Sequence, residues 1–305
     1  MPAPMAPLLT VAVASSALFD LRDGEAIFRS HGRLAYAEWV RAREAEPPAP
    51  GAALPFIRRL LAVNAADPTS STPLVEVVLI SRNDPDTGVR VRSALEHYRL
   101  PIARCAFTGG SDPWPYAAAF DAALFLSASR ADVEAGLAQG MACGLVLPGS
   151  GADDPADLQL RIAFDFDGVL ASDEAERVYH EHGLDHYREA ERGLFDQPLA
   201  PGPLQALLRG LARVQEAEAA GLLPPVVRTA IITARSAPAD RRVVTTLRAW
   251  GVRVDESYFV GDLPKDRIIK LFKPHIFFDD KRANAELAAT CAPSVHIPFG
   301  VLNRP

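Results

Sequence analysis

The apolar and polar positions of this 305-residue chain follow the same pattern twice. Each half opens with a short apolar run. A mixed helical stretch, a Pro/Gly loop, an amphipathic helix and a second apolar run follow in that order. Short strands that alternate with helices of this length form parallel βαβ units. The pattern therefore predicts an α/β fold with a doubly wound parallel sheet in each half.

The expected elements lie in matching places in the two halves. In the first half we expect strands at 11–14, 75–80, 103–107, 123–126 and 144–147, and helices at 24–42, 54–64, 88–99 and 129–140. In the second half we expect strands at 161–164, 228–232, 256–260, 275–278 and 294–297, and helices at 174–192, 204–219, 240–250 and 281–289.

An ungapped internal repeat supports this division of the chain. Two pairs of segments align without insertions, 10–64 with 161–215 and 76–128 with 228–280. The stretch 148–158 is rich in glycine, proline and aspartate, which is typical of a linker. The sequence therefore predicts a tandem duplication, with one domain at 1–150 and a second at 151–305.

Polar side chains gather where the strands of the second half end. In chain order they are Asp165 and Asp167 after the first strand, Thr233 after the second, Lys265 after the third, and Asp279 and Asp280 after the fourth. Ligands of open α/β sheets bind at the carboxyl ends of the strands. Neighbouring carboxylates repel each other unless a hard cation lies between them. The sequence therefore predicts a site for a divalent cation and a phosphate ester.

The first half lacks this set of charged residues. Ala14 and Ser16 align with the first two aspartates, Pro113 aligns with the lysine, and Ser127-Ala128 align with the last two aspartates. Only a hydroxyl is kept, Ser81 opposite Thr233. If the acids were needed by the scaffold, both halves would keep them. They indicate chemistry in the second half alone, and the first half is predicted to be a degenerate copy.

Two assignments stay open at this point. Thr233 is either a phosphate ligand or the N-cap of the next helix. Lys265, Lys270 and Lys273 are all candidates for the lysine that lies beside the acids.

These motifs resemble those of the haloacid-dehalogenase superfamily of phosphotransferases and, more closely, the cytosolic 5′-nucleotidase type I family. The similar segments are Phe-Asp-Phe-Asp-Gly-Val at 164–169, Ile-Thr-Ala-Arg-Ser-Ala at 232–237, Leu-Pro-Lys at 263–265 and Pro-His-Ile-Phe-Phe-Asp-Asp at 274–280. One motif departs from the family, which usually has Asp-Gly-Asp-Ala where this chain has Asp165-Phe166-Asp167-Gly168.

The resemblance implies Mg²⁺-dependent hydrolysis of nucleoside 5′-monophosphates through an aspartyl-phosphate. Asp165 would be the nucleophile and Asp167 the general acid and base. Substrate phosphate would be bound by Thr233, Ala234, Arg235 and Lys265. Mg²⁺ would be held by Asp165, the backbone carbonyl of Asp167, and Asp279 or Asp280. The segment 171–227 would form a helical cap domain over the site.

Two other functions remain open. Phe166 favours a phosphatase for another small phosphate ester, such as a phosphosugar. A non-catalytic regulator that binds a nucleotide is the second alternative. Arg235 would bind phosphate or ribose, or would form a salt bridge at the surface.

Bulk composition narrows the partners and the compartment. A net charge of −6 argues against a nucleic-acid polymer or an anionic membrane as partner. Three scattered cysteines, Cys105, Cys143 and Cys291, fit a reducing compartment. The apolar stretch 8–19 has no preceding lysine or arginine and is too short to span a bilayer, so we expect a buried strand there. We therefore expect a cytoplasmic protein, and the sequence leaves open whether it forms a homo-oligomer.

Overall fold

The structure is a computed structural model that describes residues 6–68, 70, 72–149 and 159–303. Most of the predicted linker, 150–158, lies outside these residues. The fold is α/β, with one large, mostly parallel sheet and helices packed on it.

The first half contributes five strands and six helices to the described chain. The strands are β1 (Leu9–Ala14), β2 (Val75–Ser81), β3 (Arg104–Phe107), β4 (Leu124–Ser127) and β5 (Cys143–Val146). The helices are α1 (Ser15–Leu18), α2 (Arg22–Arg41), α3 (Leu54–Ala62), α4 (Val89–His97), α5 (Trp114–Ala119) and α6 (Arg130–Ala138). A 3₁₀ turn, Val63–Ala66, follows α3.

The second half contributes the remaining five strands and five helices among the described residues. The strands are β6 (Leu160–Phe164), β7 (Val227–Thr233), β8 (Glu256–Phe259), β9 (Ile276–Asp279) and β10 (Ser294–His296). The helices are α7 (Glu174–Gly193), α8 (Gln205–Ala219), α9 (Asp240–Trp250), α10 (Asp266–Phe272) and α11 (Arg282–Ala288). A 3₁₀ turn, Val301–Asn303, ends the described chain.

All ten strands form one sheet in the order β3-β2-β1-β4-β5-β10-β9-β6-β7-β8. Strand pairs within each half are parallel, and the order outward from the sheet centre is the same in both halves. The halves meet where β5 pairs with β10, and that pair is antiparallel. The carboxyl ends of the strands in one half therefore lie at the opposite sheet edge from those of the other half.

Apolar side chains cover both faces of the sheet. Along β1, Leu9, Val11 and Val13 belong to one core cluster, while Ala12 and Ala14 belong to a second on the other face. This alternation is the two-residue period of a strand that is buried on both sides. The first cluster includes residues from both halves, and Gly210 in α8 lies against Leu9. The two predicted domains therefore share one sheet and one core.

Most predicted strands and helices match the structure to within a few residues, and the stretch 8–19 contains the buried strand β1. Helices α1, α5 and α10 were not predicted, because four to seven residues are too few to show a helical period. Helices α2 and α7 are each kinked, at Gly32 and Gly183, whose φ angles are 79° and 81°. No helix in the described ranges is long and apolar enough to cross a membrane.

Candidate active site

The carboxyl ends of β6, β7 and β9 bring the predicted acids to one edge of the sheet. The backbone N–H of Asp165 donates to the carbonyl of Phe278 at 2.7 Å, which fixes the end of β6 beside β9. The three strands are neighbours in the sheet, so Asp165, Thr233 and Asp279 emerge side by side. The structure thus brings together the residues predicted from three separate motifs.

Lys265 lies at the centre of this group. Its Nζ donates to Asp165 Oδ2 at 2.8 Å and to Asp279 Oδ2 at 2.7 Å, and its side chain is buried. Burial opposes the charge on Lys265, but the two carboxylates outweigh it and raise the pKa of the amine. Lys270 instead pairs with Asp266 on the exposed face of α10, and Lys273 is exposed. Lys265 is therefore the lysine that meets the acids.

Asp279 and Asp280 have different surroundings, although they are adjacent in the chain. Asp279 accepts from Lys265 Nζ, from the backbone N–H of Lys281 at 2.8 Å and from Asn284 Nδ2 at 3.3 Å. Asp280 Oδ1 is buried and has no hydrogen-bond partner among the described residues. A buried carboxylate oxygen without a partner is costly, so Asp280 Oδ1 is a candidate ligand for a cation.

The donor set fits a hard divalent cation. Asp165, Asp279 and Asp280 each offer one carboxylate oxygen, and these oxygens lie within 4.8 Å of one another. Oxygen-only ligands are the set that Mg²⁺ and Ca²⁺ prefer. The side chain of Asp167 is outside this group, because both of its oxygens accept from Arg235.

Burial also changes the acidity of the cluster. Burial raises the pKa of Asp165 to about 7, with Lys265 opposing the shift and Asp279 adding to it. Burial, together with the charges of Asp165 and Asp279, raises the pKa of Asp280 to about 9. Carboxylic acids in unfolded chains have pKa values of about 4. The folded chain therefore holds protons that the unfolded chain has released.

We expect stability without metal to fall as pH rises. At Asp165 and Asp280 the folded state binds more protons than the unfolded state from about pH 4 to pH 9, so these two groups lower the free energy of unfolding as pH rises across that range. A bound Mg²⁺ favours the ionised carboxylates, so its stabilising effect should grow over the same range. Thermal denaturation in EDTA and in Mg²⁺, from pH 5 to pH 9, measures both effects. The Asp280→Asn variant should lose most of the Mg²⁺ response. A melting temperature in the wild type that Mg²⁺ leaves unchanged would contradict the assignment.

Thr233 and Ala234 form the turn at the end of β7. Thr233 is buried, and its Oγ1 accepts from the backbone N–H of Arg235 at 3.3 Å. The next helix, α9, begins at Asp240 and has no side-chain cap, so the N-cap alternative for Thr233 is wrong. Ala234 is exposed between its two buried neighbours.

Arg235 is buried, so the surface salt bridge considered for it is wrong. Its guanidinium donates to both oxygens of Asp167, at 2.7 and 2.8 Å, and also to Glu191 of α7. Glu191 in turn accepts from Arg242 of α9 at 2.8 Å, and Arg242 donates to Glu174 at the start of α7. Burial disfavours the charge on Arg235, but the charge and hydrogen bonds of Asp167, together with Tyr187 and Glu191, outweigh it and raise the pKa of the guanidinium.

Sequence reasoning missed Glu191, Arg242 and Asn284. A signal for Glu191 was present in the repeat. The ion-paired chain Asp167–Arg235–Glu191 aligns with Ser16, Asn83 and Val40 in the first half. None of these three ion-paired side chains is kept in the first half, which also lacks the acids, although the three come from separate segments.

Phe166 does not line an open cleft. Its side chain is fully buried, packs near Trp250 at 6.4 Å between ring centroids, and lies under the Arg235 guanidinium. The Phe166 change in the family's first motif therefore alters the core behind the site. This observation removes the main support for a phosphosugar substrate.

Comparison with known proteins agrees with this geometry. The family model described as 5′-nucleotidase matches residues 1–304. The chain belongs to the 5′-nucleotidase family. It is 38% identical over 285 residues to cytosolic 5′-nucleotidase 1B of Homo sapiens, an alignment that covers 91% of this chain and 47% of the human protein. The chain thus spans about half the length of this curated relative. No solved structure gives a significant match.

Membership of the 5′-nucleotidase family confirms the resemblance that the motifs predicted. The match extends over both halves of the chain, including the half that lacks the acids. The roles of the individual site residues stay predictions.

Proposed function

We propose that this chain hydrolyses nucleoside 5′-monophosphates to a nucleoside and phosphate. The observation that carries the proposal is Lys265 bridging Asp165 and Asp279 at a strand-end site of a 5′-nucleotidase-family chain. This arrangement supports the proposal, because Asp165 as nucleophile, Lys265 as cation and the acids as metal ligands would lie within contact of one another. The name of the human relative, a cytosolic 5′-nucleotidase, supports the same substrate class and a cytoplasmic location.

Asp165 attacks phosphorus, and the bond from phosphorus to the 5′-oxygen breaks as an aspartyl-phosphate forms. Asp167 donates a proton to the departing 5′-oxygen. It then takes a proton from the water that attacks the aspartyl-phosphate, so that phosphate leaves and Asp165 is restored. Lys265 and the Thr233 hydroxyl donate to the phosphoryl oxygens, where negative charge is spread in the transition state.

A bound Mg²⁺ would neutralise the acids and so admit an anionic phosphate. Asp165 and Asp280 would hold it, together with the Asp167 carbonyl. We assign the direct contact to Asp280 because its Oδ1 lacks a partner, whereas Asp279 already accepts from three donors. Asp279 would then orient Lys265.

Within the segment 171–227, we propose that helix α7 acts as a cap that opens and closes, whereas α8 packs in the core, with Gly210 against Leu9, and stays with the sheet. The four acids are at most 8% exposed, so a nucleotide can reach them only if covering residues move. Two ion pairs of helix α7 stabilise the closed position, one from Glu191 to Arg235 and one from Glu176 to Lys281 at 2.7 Å. A closed cap excludes water from the reacting atoms.

We propose that the two halves arose by tandem duplication and that only the domain at 151–305 is catalytic. The shared strand order, the shared kinks at Gly32 and Gly183 and the ungapped repeat support the duplication. The first half would be a degenerate domain at 1–150.

The test is phosphate release from nucleoside 5′-, 3′- and 2′-monophosphates and from phosphosugars, with and without Mg²⁺. We expect Mg²⁺-dependent release that favours the 5′-monophosphates. Release from phosphosugars alone would keep the mechanism and replace the substrate. No release from any compound by the folded protein would favour a non-catalytic nucleotide-binding protein instead.

Glu191 is expected to position Arg235 and, through it, Asp167. In Glu191→Gln the side chain keeps its shape but loses the charge that holds Arg235, so kcat should fall about 10- to 100-fold. The pH dependence of kcat should change as well, and KM should change little. Glu189→Gln, which alters an exposed glutamate of the same helix, is the matched control. Unchanged kcat with only a lower melting temperature would show that Glu191 is merely structural.

A further inference from the structure

A cavity of about 600 Å³ opens at the carboxyl ends of the first-half strands, under helix α2. Ser16 follows β1, Asn83 follows β2 and Gly109 follows β3, and all three line it. This edge of the sheet is opposite to the candidate active site, because β5 and β10 run antiparallel. The volume lies in the range of small-molecule sites. The first half therefore has lost its acids but has kept an open pocket in the equivalent place.

An aromatic pair covers the pocket, and the second half has the same pair. Phe28 and Tyr36 of α2 meet edge to face, with centroids 5.8 Å apart, and both line the cavity. Tyr179 and Tyr187 of α7 occupy the aligned positions and meet edge to face at 6.1 Å. Phe28 is 51% exposed, so its ring is accessible to a ligand in the cavity.

In each half, one ring of the pair lies near the residues that follow the strand ends. Tyr36 donates from its hydroxyl to Asn83 Oδ1 at 3.3 Å, and Asn83 aligns with Arg235. In the second half the charges of Arg235 and Asp167 reach the Tyr187 hydroxyl. An exposed ring in this position offers a flat apolar surface to a planar group such as a nucleobase.

The first half lacks the acids of the second half, and it has arginines that the second half lacks. Three arginines line the first-half cavity at positions where the second half has no lysine or arginine. These are Arg29 aligned with His180, Arg33 with Leu184, and Arg82 with Ala234. Guanidinium groups bind phosphate directly, without the help of a metal ion.

The arginines on α2 are available to an anion. Arg29 and Arg33 are largely exposed, and each forms one surface ion pair, with Glu25 at 3.4 Å and Asp84 at 2.8 Å. Surface pairs of this kind contribute little to stability, so a phosphate can compete for the guanidinium groups. Arg82 also lines the cavity, where it donates to Asp132, to Asp112 and to the Gly110 carbonyl.

We propose that the first-half cavity is a second nucleoside-phosphate site, which binds its ligand without a metal ion and without hydrolysing it. Phe28 receives the base, and Arg29, Arg33 and Arg82 face the phosphate. The ligand class rests on the proposed function, since the aromatic pair is shared with the proposed nucleotidase site. The first half has no acids aligned with those of the second-half site, and the acids that do line the cavity are each paired with an arginine, namely Glu25, Asp84 and Asp132.

The experiment is a calorimetric titration of the full chain in EDTA, in an Asp165→Asn background, with AMP, GMP, CMP and UMP. We expect one site per chain for at least one nucleotide, with weaker binding of the matching nucleoside and of inorganic phosphate. Phe28→Ala and Arg33→Gln should each weaken binding about tenfold or more. Tyr179→Ala, the aligned change in the second half, is the matched control and should leave this binding in place. Arg33 is exposed, so its variant should fold even if Phe28→Ala does not.

Four outcomes overturn the inference. The first is that no nucleotide binds in EDTA, and the second is that Phe28→Ala and Arg33→Gln both leave nucleotide binding unchanged. The third is that binding is lost only in Tyr179→Ala, and the fourth is that nucleotide is hydrolysed at the first-half cavity. Turnover by the wild type in Mg²⁺ tests the proposed function separately. Turnover in Mg²⁺ without nucleotide binding in EDTA would reject this site alone. Nucleotide binding at the first-half cavity without turnover would reject the nucleotidase and keep the site.

Discussion

Replacement of Asp165 by asparagine is expected to reduce phosphate release by about 10⁴-fold or more. Loss of a covalent nucleophile causes one of the largest decreases in kcat that a single substitution can produce, because the aspartyl-phosphate can no longer form. The amide of asparagine can still accept from the Phe166 N–H, as Asp165 Oδ1 does at 2.7 Å. The fold around the site should therefore survive. Initial rates with Mg²⁺ and a 5′-monophosphate measure the effect.

The control must remove a carboxylate from the same half without touching the site. Asp255→Asn serves, since Asp255 is exposed and accepts from Thr229 and Gln215 away from the acids. We expect it to keep turnover within a few fold of the wild type. Melting curves establish that both variants are folded. Activity of Asp165→Asn within tenfold of the wild type would remove Asp165 from the nucleophile's role.

The halves and their strands could be predicted from sequence because parallel strands are written as short, almost wholly apolar runs. The joining of β5 to β10 could not. Two three- or four-residue strands carry no local signal of their partner, and the antiparallel pair depends on how the whole halves meet. The single sheet that results is the main feature of the fold that the pattern did not contain.

Some residues of the candidate site could be predicted from sequence, and others could not. Asp165, Thr233, Lys265 and Asp279 were predictable because each follows a strand, and strand ends converge in this class of fold. Glu191 lies in the middle of an amphipathic helix, where a glutamate usually faces solvent. Its contact with Arg235 depends on how α7 packs, so it could be found only by comparison of the halves. Asp279 and Asp280 are neighbours in sequence, and only their hydrogen-bond partners distinguish them.

Replacement of Asp167 by asparagine is expected to reduce turnover of a 5′-monophosphate about 10²- to 10⁴-fold, the usual worth of general acid–base help. Both Asp167 oxygens accept from Arg235 in this structure. Each oxygen accepts one hydrogen bond and keeps a second lone pair, so we expect Arg235 to release one of them when Asp167 turns to protonate the leaving 5′-oxygen. The ion-paired chain to Glu191 would thus hold the acid ready until substrate arrives.

The leaving group separates this role from a merely structural one. A nitrophenolate departs without a proton, so with p-nitrophenyl phosphate the first step in Asp167→Asn should stay fast while breakdown of the aspartyl-phosphate slows. We expect a burst of nitrophenol, about one per active chain, followed by slow turnover. With a 5′-monophosphate both steps are slowed, and no burst should appear. Equal losses on both substrates, without a burst on either, would mean that Asp167 only maintains the geometry around Asp165. In that event Arg235 would have no proton transfer to control.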